Sequence, residues 1–421
     1  MEFKKYIQYL IRPTSLFVAV NITVSIIGFL RSFAFMKWLG LEELGLISLV
    51  QTVIQFIGLF QFGLINGGYR MFSLNKVQEQ EKINNLLFTF WGLFLFIFLI
   101  VWLIIVASGR TLLMSNDLLL VAIFTGIITL ANNWLNNTLI GKQKLGEINK
   151  INLISIGVSL LSLPLIYYFG FGGALISVIV HPLCFVFLTL KRNKELRPSR
   201  LFIDPDLIKE ILHYGFIPFL SGIFVMLNLQ VERWSIAAFL GKEELGRFYL
   251  VFLFHTLFML IPTSVQSVFF PRAVRSYDEG NLFEFNSVIK KLSIVITIYD
   301  LAIVIVTILL LKPVVSAIFP LHVDNVIYVF MFLPGLLAWS LDSILSLILN
   351  SSLRLNVLLY AGLVGFLTNI IGIIILTTSG LFTLERIACL KSVVLIIPFV
   401  FSLIYVYHNK GDIAAGYKKS K

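Results

Sequence analysis

The polar positions of this 421-residue chain occur in short clusters, and the stretches between the clusters are apolar on all sides. Residues 86–106 carry no charge over 21 positions, and residues 151–190 carry none over 40. A surface helix of a soluble protein would instead show an apolar stripe and a polar face. Because about 18 apolar residues suffice to cross a bilayer core of roughly 30 Å, this pattern predicts membrane-spanning helices.

Charged clusters and Gly/Pro positions divide the chain into twelve predicted spans. The predicted spans are 16–38, 45–65, 84–106, 118–140, 149–169 and 172–190, then 215–240, 246–269, 292–311, 325–349, 356–377 and 386–407. A linker over 191–214 separates them, and its Asp204-Pro205-Asp206 sequence predicts the start of a short helix lying on the membrane surface. We therefore expect an all-α polytopic membrane protein with two pseudo-symmetric six-helix lobes, 1–190 and 215–421, around a central cavity.

A repeated phrase supports the division into two lobes. LGLEELGLISLV at 39–50 returns as LGKEELGRFYLV at 240–251, with eight of twelve positions identical at an offset of 201. Each copy closes the first predicted span of its half and opens the second, where the acidic pair favours the N-terminus of the next helix. Two parallel halves of six spans are a transporter architecture.

Composition and charge exclude several other classes of protein. Only 13% of residues are charged and 58% are hydrophobic, which is too apolar for soluble domains of this size. Of 33 Lys and Arg, 24 fall in alternate loops and the two terminal segments, so the positive-inside rule predicts cytoplasmic termini. This bias and anionic lipids account for the net charge of +11, and we expect no nucleic-acid partner.

No enzyme signature or cofactor motif occurs in the chain. The two cysteines lie in apolar runs without metal-ligand spacing, and neither a GxxxxGK[ST] loop nor an HExxH motif is present. We therefore expect a protein that is not an enzyme and that needs no cofactor beyond a driving proton or sodium ion.

Several short stretches resemble one family of transporters. They are LGLEELGLISL after the first span, FGLINGGYR at 62–70, YYFGFGGALIS at 167–177 and QVERWSIAAFLGKEELGRFYL at 230–250. Together they resemble the flippases for lipid-linked O-antigen and capsular repeat units, of the multidrug/oligosaccharidyl-lipid/polysaccharide exporter superfamily. Where the seventh span of that family often carries Asp before a basic residue, this chain has Glu232-Arg233.

The resemblance implies a bacterial inner-membrane protein whose cargo is a polyprenyl-diphosphate-linked glycan. It also implies contact with membrane lipids and, as further partners, other proteins of polysaccharide assembly. A flippase of this kind moves repeat units from the cytoplasmic to the external leaflet by alternating access, for O-antigen or capsule assembly.

A few ionisable residues lie inside the predicted spans, where each needs a partner or a watery cavity. Arg31 lies in the first span, and the repeat offset places Glu232 at the same depth in the seventh, followed by Arg233. Asp300 and Asp342 lie in the ninth and tenth spans. The first half has no acidic residue within a span, so the predicted cavity is cationic and suits a diphosphate, which guanidinium groups bind bidentately.

These residues lead to a mechanistic hypothesis. Arg70 and Arg272 capture the diphosphate at the cytoplasmic side, Arg31 and Arg233 receive it deeper, and the amides of Asn133 and Asn136 bind sugar hydroxyls. The candidate ion-coupling residues, which bind the driving proton or sodium ion in this hypothesis, are Glu232, Asp300 and Asp342.

Structural alternatives stay open for each of these residues. Arg31, Glu232 and Arg233 are also consistent with an ion pair that holds the lobes together. The two aspartates are consistent with neutral acids hydrogen-bonded to neighbouring helices. Arg70 and Arg272 also fit positive-inside topology, and Asn133 and Asn136 fit hydrogen bonds between helices.

Two rival functions remain. One is a multidrug or peptidoglycan-precursor exporter of the same superfamily, although the peptidoglycan-precursor flippases usually have two further spans. The other is a membrane glycan polymerase, which would need a larger external loop with acid and base residues than this chain has.

Overall fold

The computed structural model describes residues 13–73, 80–109, 113–142 and 144–411, and within them the fold is all-α. In chain order, these residues form α1 (Pro13–Trp38), α2 (Leu41–Gly58), α3 (Leu64–Ser73), α4 (Gln80–Ala107), α5 (Asn116–Gly141), α6 (Leu145–Arg192), α7 (Pro205–Phe239), α8 (Lys242–Arg247), α9 (Tyr249–Asp278), α10 (Leu282–Ile318), α11 (Val326–Ser351), α12 (Leu355–Thr378) and α13 (Leu384–His408). Short 3-10 turns occupy Leu59–Gln61, Lys194–Leu196 and Pro320–His322.

Most of these helices are long and apolar enough to cross a membrane. Ten helical segments of the described residues pass this test, and α7 adds an eleventh as two parts, Pro205–Ile217 and Gly222–Phe239, bent by 65°. One of the ten, α6, has 48 residues. A straight helix of that length would measure about 72 Å, more than twice the thickness of a bilayer core.

The helix α6 is in fact a hairpin of two spans. Gly170 has non-helical angles, φ 53° and ψ −127°. Just beyond the far end, Asn193 Nδ2 donates a 2.8 Å hydrogen bond to Oε1 of Glu147 near the start of the helix. A Cβ on Gly173 would lie 2.0 Å from the carbonyl oxygen of Leu165, although eight residues of unbroken helix would separate them by about 12 Å.

This reversal confirms the predicted division of the region into spans 149–169 and 172–190. With α6 counted twice and the bent α7 once, each of the twelve predicted spans has a helical counterpart in the described residues.

The chain forms two compact units, Met1–Ile223 and Phe224–Lys421, with the boundary inside α7. The predicted linker 191–214 therefore belongs to the first unit. Its predicted helix start is confirmed, because Oδ1 of Asp204 accepts hydrogen bonds from the backbone N–H of Asp206 at 3.0 Å and of Leu207 at 3.2 Å. This side chain caps the first turn of α7.

The apolar face of that first part of α7 packs differently from the prediction. Leu207 and Ile211 are buried in the same hydrophobic core as Leu64 and Trp134, and Ile208 packs against this core. The face predicted to lie on the membrane surface is thus covered by protein of its own unit. This burial removes its apolar side chains from both water and lipid headgroups, which is favourable.

The helices of the two units pack in the same order. The second span contacts the fourth (α2 with α5, and α9 with α11), and the third also contacts the fourth (α4 with α5, and α10 with α11). The fourth span in turn contacts the helix or hairpin that closes the unit (α5 with α6, and α11 with α13). The third spans, α4 and α10, are the least buried of the candidate spans, as expected for helices that face lipid.

The repeated phrase begins a helix in both units, with different backbone angles at the glycine that precedes it. The backbone N–H of Gly40 donates to Oε2 of Glu43 at 3.0 Å, across the first turn of α2. Gly241 precedes α8 with φ 97°, a left-handed value that favours glycine. In this second copy, Glu243 accepts a 2.9 Å bond from Arg247 one turn along. The phrase is a hairpin element, as its sequence predicts.

The glycines of FGLINGGYR allow two backbones to touch. Gly63 has φ 88°, and a Cβ there would lie 2.7 Å from the carbonyl oxygen of Gly215. A Cβ on Gly67 would lie 2.0 Å from the carbonyl oxygen of Ile211. The start of α7 therefore lies directly against α3 and the residue before it. The two backbones can touch because glycine has no side chain to separate them.

We predict that Gly67→Ala destabilises the protein, by about 1–3 kcal/mol, because the added methyl group meets backbone that cannot rotate away. The measurement is the melting temperature of the full chain in detergent. Gly157→Ala is the matched control, since a Cβ there meets nothing within 4 Å. An unchanged melting temperature for Gly67→Ala would contradict this close contact.

A buried histidine lies in the turn between α10 and α11. His322 is 1% exposed, and its Nδ1 lies 3.2 Å from Nδ2 of Asn325. Burial, followed by the positive charge of Arg247, lowers the pKa of His322 to about 4. The imidazole is therefore neutral in the folded protein at neutral pH.

Since the unfolded pKa of histidine is about 6.5, the folded pKa is depressed and the stability from neutral His322 is fully present above that pH. It is lost as the pH falls through about 4. We expect the melting temperature to fall over this window, and less so in His322→Asn. His408→Asn, at an exposed position, is the control and should retain the wild-type slope.

Candidate functional site

Three charged side chains of the described residues are almost fully buried: Glu232, Asp300 and Lys391, at 1%, 4% and 5% exposure. All three belong to the unit Phe224–Lys421. A charge at span depth is costly unless a partner compensates it, so their surroundings define the candidate site.

Glu232 and Lys391 form an ion pair between α7 and α13. Lys391 Nζ also donates to the backbone carbonyl oxygen of Asn228 at 2.7 Å, one turn before Glu232. Asn369, on α12, donates from Nδ2 to Oε1 of Glu232 at 2.9 Å and to Oδ1 of Asn228 at 2.6 Å. Three helices therefore meet at one buried polar cluster, which we call the Glu232–Lys391 cluster, comprising Asn228, Glu232, Asn369 and Lys391.

Close helix contacts place Lys391 in this cluster. The N–H of Gly335 on α11 donates to Oγ of Ser392 at 2.8 Å, and a Cβ on Gly335 would lie 2.5 Å from Cα of Ser392. On α12, a Cβ on Gly365 would meet Pro398 of α13 at 2.7 Å and lies next to the amide of Asn228. Small residues thus let α11 and α12 approach α13 closely enough to hold Lys391 against α7.

Sequence reasoning missed Lys391. The residue follows Arg386 at the predicted start of the last span, where basic residues are usually topology signals. The helix α13 begins at Leu384, so Lys391 lies two turns inside it. An available signal was that Glu232 requires compensation. Apart from the adjacent Arg233, Lys391 is the only Lys or Arg of the second half that lies more than one helical turn inside a predicted span.

Arg31 lies in the first unit and is held by a backbone carbonyl. Its Nη1 donates to the oxygen of Ser177, in the second arm of the α6 hairpin, at 3.1 Å. Its charge also acts on His181, one turn further along the same arm. Arg31 on the first span contacts the sixth, just as Glu232 on the seventh contacts the twelfth. The residues related by the repeat offset therefore have equivalent neighbours and opposite charges.

Arg233 is held differently from its neighbour Glu232. Its guanidinium lies 4.3 Å from the centroid of the Phe252 ring on α9, a cation–π contact. Its Nε and Nη1 are buried and have no hydrogen-bond acceptor among the described residues. Two N–H groups of a charged side chain are thus available to a further acceptor.

The two aspartates predicted within spans are each hydrogen-bonded to serines of α11. Asp300, on α10, accepts a 2.8 Å bond from Ser340 Oγ at Oδ1. Asp342 accepts from Ser346 Oγ at 3.3 Å. Within the described structure, Oδ2 of Asp300 and Oδ1 of Asp342 are buried without a hydrogen-bond donor. Each carboxyl group therefore has one satisfied and one unsatisfied oxygen.

The remaining predicted site residues are more peripheral. Arg272 is exposed and pairs with Glu284 at 2.8 Å, beside a surface cavity of about 450 Å³ that Arg275 also lines. Asn133 is exposed and Asn136 is half-buried on α5. The side chain of Arg70 lies outside the part of the structure that is described.

Solved transporters share this architecture. An inward-facing multidrug resistance MATE family transporter of the MOP superfamily is 16% identical, with a TM-score of 0.69 over 96% of this chain and 100% of that one. The lipid II flippase MurJ, in an inward closed conformation, is 15% identical, with a TM-score of 0.71 over 96% and 90%. An outward-facing MATE transporter gives 15% identity and a TM-score of 0.66, over 97% of each chain.

The fold is that of the MATE transporters and of MurJ. At this level of identity the likeness establishes the fold, and the cargo has to be argued from the residues. No protein-family model and no curated protein sequence matches the chain. The shared fold confirms the predicted all-α polytopic architecture.

The buried ion pair makes a prediction about stability. We expect Glu232→Gln or Lys391→Met alone to destabilise the protein by about 3–5 kcal/mol, because each leaves the other charge buried and uncompensated. The double variant should recover part of this loss. Melting temperatures of the four proteins complete the double-mutant cycle, and additive effects would show that the pair has no coupling energy.

Proposed function

We propose that this protein is a flippase that moves polyprenyl-diphosphate-linked oligosaccharide repeat units across the bacterial inner membrane, for O-antigen or capsule assembly. It acts by alternating access, with both termini in the cytoplasm. One observation carries the proposal: Arg233 holds two buried N–H groups without acceptors, inside an apolar helix.

The charge distribution favours an anionic cargo. No acidic side chain of the described first unit is buried, whereas Arg31 lies within its first helix. A cationic drug would need a buried carboxylate to compensate its charge, and that unit offers none among its described residues. Guanidinium groups instead match phosphate oxygens in charge and in the spacing of their donors.

The fold is consistent with a lipid-linked cargo. MurJ, which shares it over nearly the whole chain, is a lipid II flippase. In our proposal this chain handles a related class of substrate, with a glycan head and a polyprenyl tail that stays in the lipid. The partners are the lipid-linked glycan, membrane lipids and other proteins of polysaccharide assembly.

In this proposal each candidate residue has its own role. Arg70 and Arg272 collect the diphosphate at the cytoplasmic ends of their spans, and Arg31 and Arg233 bind it at depth. Asn133 and Asn136 contribute amide groups to the glycan.

The return step is coupled to a proton or sodium ion. Each of Asp300 and Asp342 keeps one buried carboxyl oxygen without a donor in the described structure. Glu232 is the third predicted coupling residue, but one of its oxygens is already engaged by Lys391 and Asn369. We therefore assign the coupling to the aspartates first.

A multidrug exporter is the second candidate function. It is favoured by the MATE transporters that share the fold at TM-scores of 0.66 and 0.69. The three carboxyl groups within predicted spans of the second unit, those of Glu232, Asp300 and Asp342, are buried or half-buried and suit a cation. Survival of a gene-deletion strain on cationic drugs separates this candidate from the flippase.

We predict that Arg31→Ala reduces surface glycan by about ten- to a hundredfold at matched protein level, because a charge-assisted hydrogen bond to phosphate is lost. Arg31→Lys should be intermediate, since it keeps the charge and loses the planar fork. The measurement is surface glycan in a deletion strain that expresses each variant.

Lys312→Ala is the control, because Lys312 is an exposed residue of α10. Full activity of the Arg31→Ala variant would remove Arg31 from the mechanism. In the deletion strain itself, lipid-linked glycan should accumulate facing the cytoplasm. Unchanged orientation with shorter polymers would instead indicate a glycan polymerase.

A further inference from the structure

The ammonium group of Lys391 occupies a nest of oxygen atoms. It contacts the carbonyl oxygen of Asn228 and Oε1 of Glu232. Two further oxygens of the same cluster, Oε2 of Glu232 and Oδ1 of Asn369, are buried without a hydrogen-bond donor in the described structure. The four residues of the cluster are each at least nine-tenths buried.

This set of oxygens has the chemistry of an alkali-cation site. A backbone carbonyl, a carboxylate and a side-chain amide are hard ligands, which suit hard cations rather than transition metals. The cluster contains no sulfur or imidazole ligand. In membrane transporters, backbone carbonyl groups at span depth are typical ligands of a coupling sodium ion.

We propose that the Glu232–Lys391 cluster is a sodium-type cation site that the chain fills with its own lysine. The ammonium carries the same single positive charge as Na⁺ and is covalently tethered, so no free cation competes for the site. Removal of the Lys391 side chain leaves an uncompensated carboxylate in an apolar environment, together with the volume that the lysine occupied. A small monovalent cation then binds in its place.

The neighbouring charge does not compensate Glu232 in the same way. Arg233 follows Glu232 in the chain, but its guanidinium is engaged with the Phe252 ring. Adjacent residues of a helix also point about 100° apart, so Arg233 faces a different neighbour from Glu232. The cation that balances Glu232 is Lys391.

The inference has a functional consequence that does not depend on the cargo. A free sodium ion has no access to Glu232 while Lys391 is present, so Na⁺ does not stabilise the wild-type protein at this cluster. Coupling through Glu232 would require the lysine to leave, whereas the two aspartates require no such step.

The test is binding of radioactive ²²Na⁺ to the purified full-length protein in detergent, at constant ionic strength in choline chloride. We expect Lys391→Ala to gain one saturable site over the wild type, in which any Na⁺ bound at Asp300 or Asp342 sets the background. Lys391→Ser is a second variant with a small side chain, and it should behave in the same way. The double variant Lys391→Ala/Glu232→Gln is the matched control and should bind no more ²²Na⁺ than the wild type.

Melting temperatures give an independent readout. The rise in melting temperature from choline chloride to NaCl should be larger for Lys391→Ala than for the wild type. Saturable ²²Na⁺ binding to the wild type that Glu232→Gln abolishes would overturn the proposal, and this arm does not require any lysine variant to fold. Folded Lys391 variants that bind no more Na⁺ than the wild type would also overturn it. Neither result bears on glycan export, so a failure here is distinguishable from a failure of the proposed function.

Discussion

A charge inside an apolar helix has to be balanced by the protein, and this constraint organises the second unit. Glu232 on α7 is balanced by Lys391 on α13, and Asn369 on α12 donates to the same carboxylate. Leaving either charge unpaired would cost several kcal/mol, so these three helices are held in one register. Gly335 and Gly365 serve the same end, because only small residues allow the helices to approach closely enough.

The two halves use one scaffold with different polar chemistry. Both copies of the repeated phrase begin a helix, and the spans pack in the same order in each unit. At the position related by the repeat, however, Arg31 binds a backbone carbonyl and Glu232 binds an ammonium group. In the flippase that we propose, this difference separates an anion-binding first half from a second half that holds the carboxyl groups.

In the flippase that we propose, the internal cation also bears on which carboxyl groups can bind a driving ion. A tethered lysine gives Glu232 a permanent partner, so no free ion has to be immobilised there. It also removes that carboxylate from exchange with ions in the solvent. The unsatisfied carboxyl oxygens of Asp300 and Asp342 carry no such partner in the described structure. The buried carboxyl groups of the second unit thus divide into one that holds helices together and two that, in our proposal, bind the driving ion.

The number and type of the spans could be read from the chain alone, because the length of an apolar run and the positions of charged clusters are local properties. The reversal at Gly170 and the helix start at Asp204 were predicted for the same reason. The fate of the 205–212 face was not, since its burial depends on Leu64 and Trp134, which are distant in the chain. Lys391 shows the limit most clearly: its sequence neighbourhood resembles a topology signal, and only the packing of α13 against α7 makes it the partner of Glu232. The sequence by itself determined which residues lie in the membrane, and the tertiary structure decided which charges meet, because electrostatic pairing depends on distances between helices that no local pattern encodes.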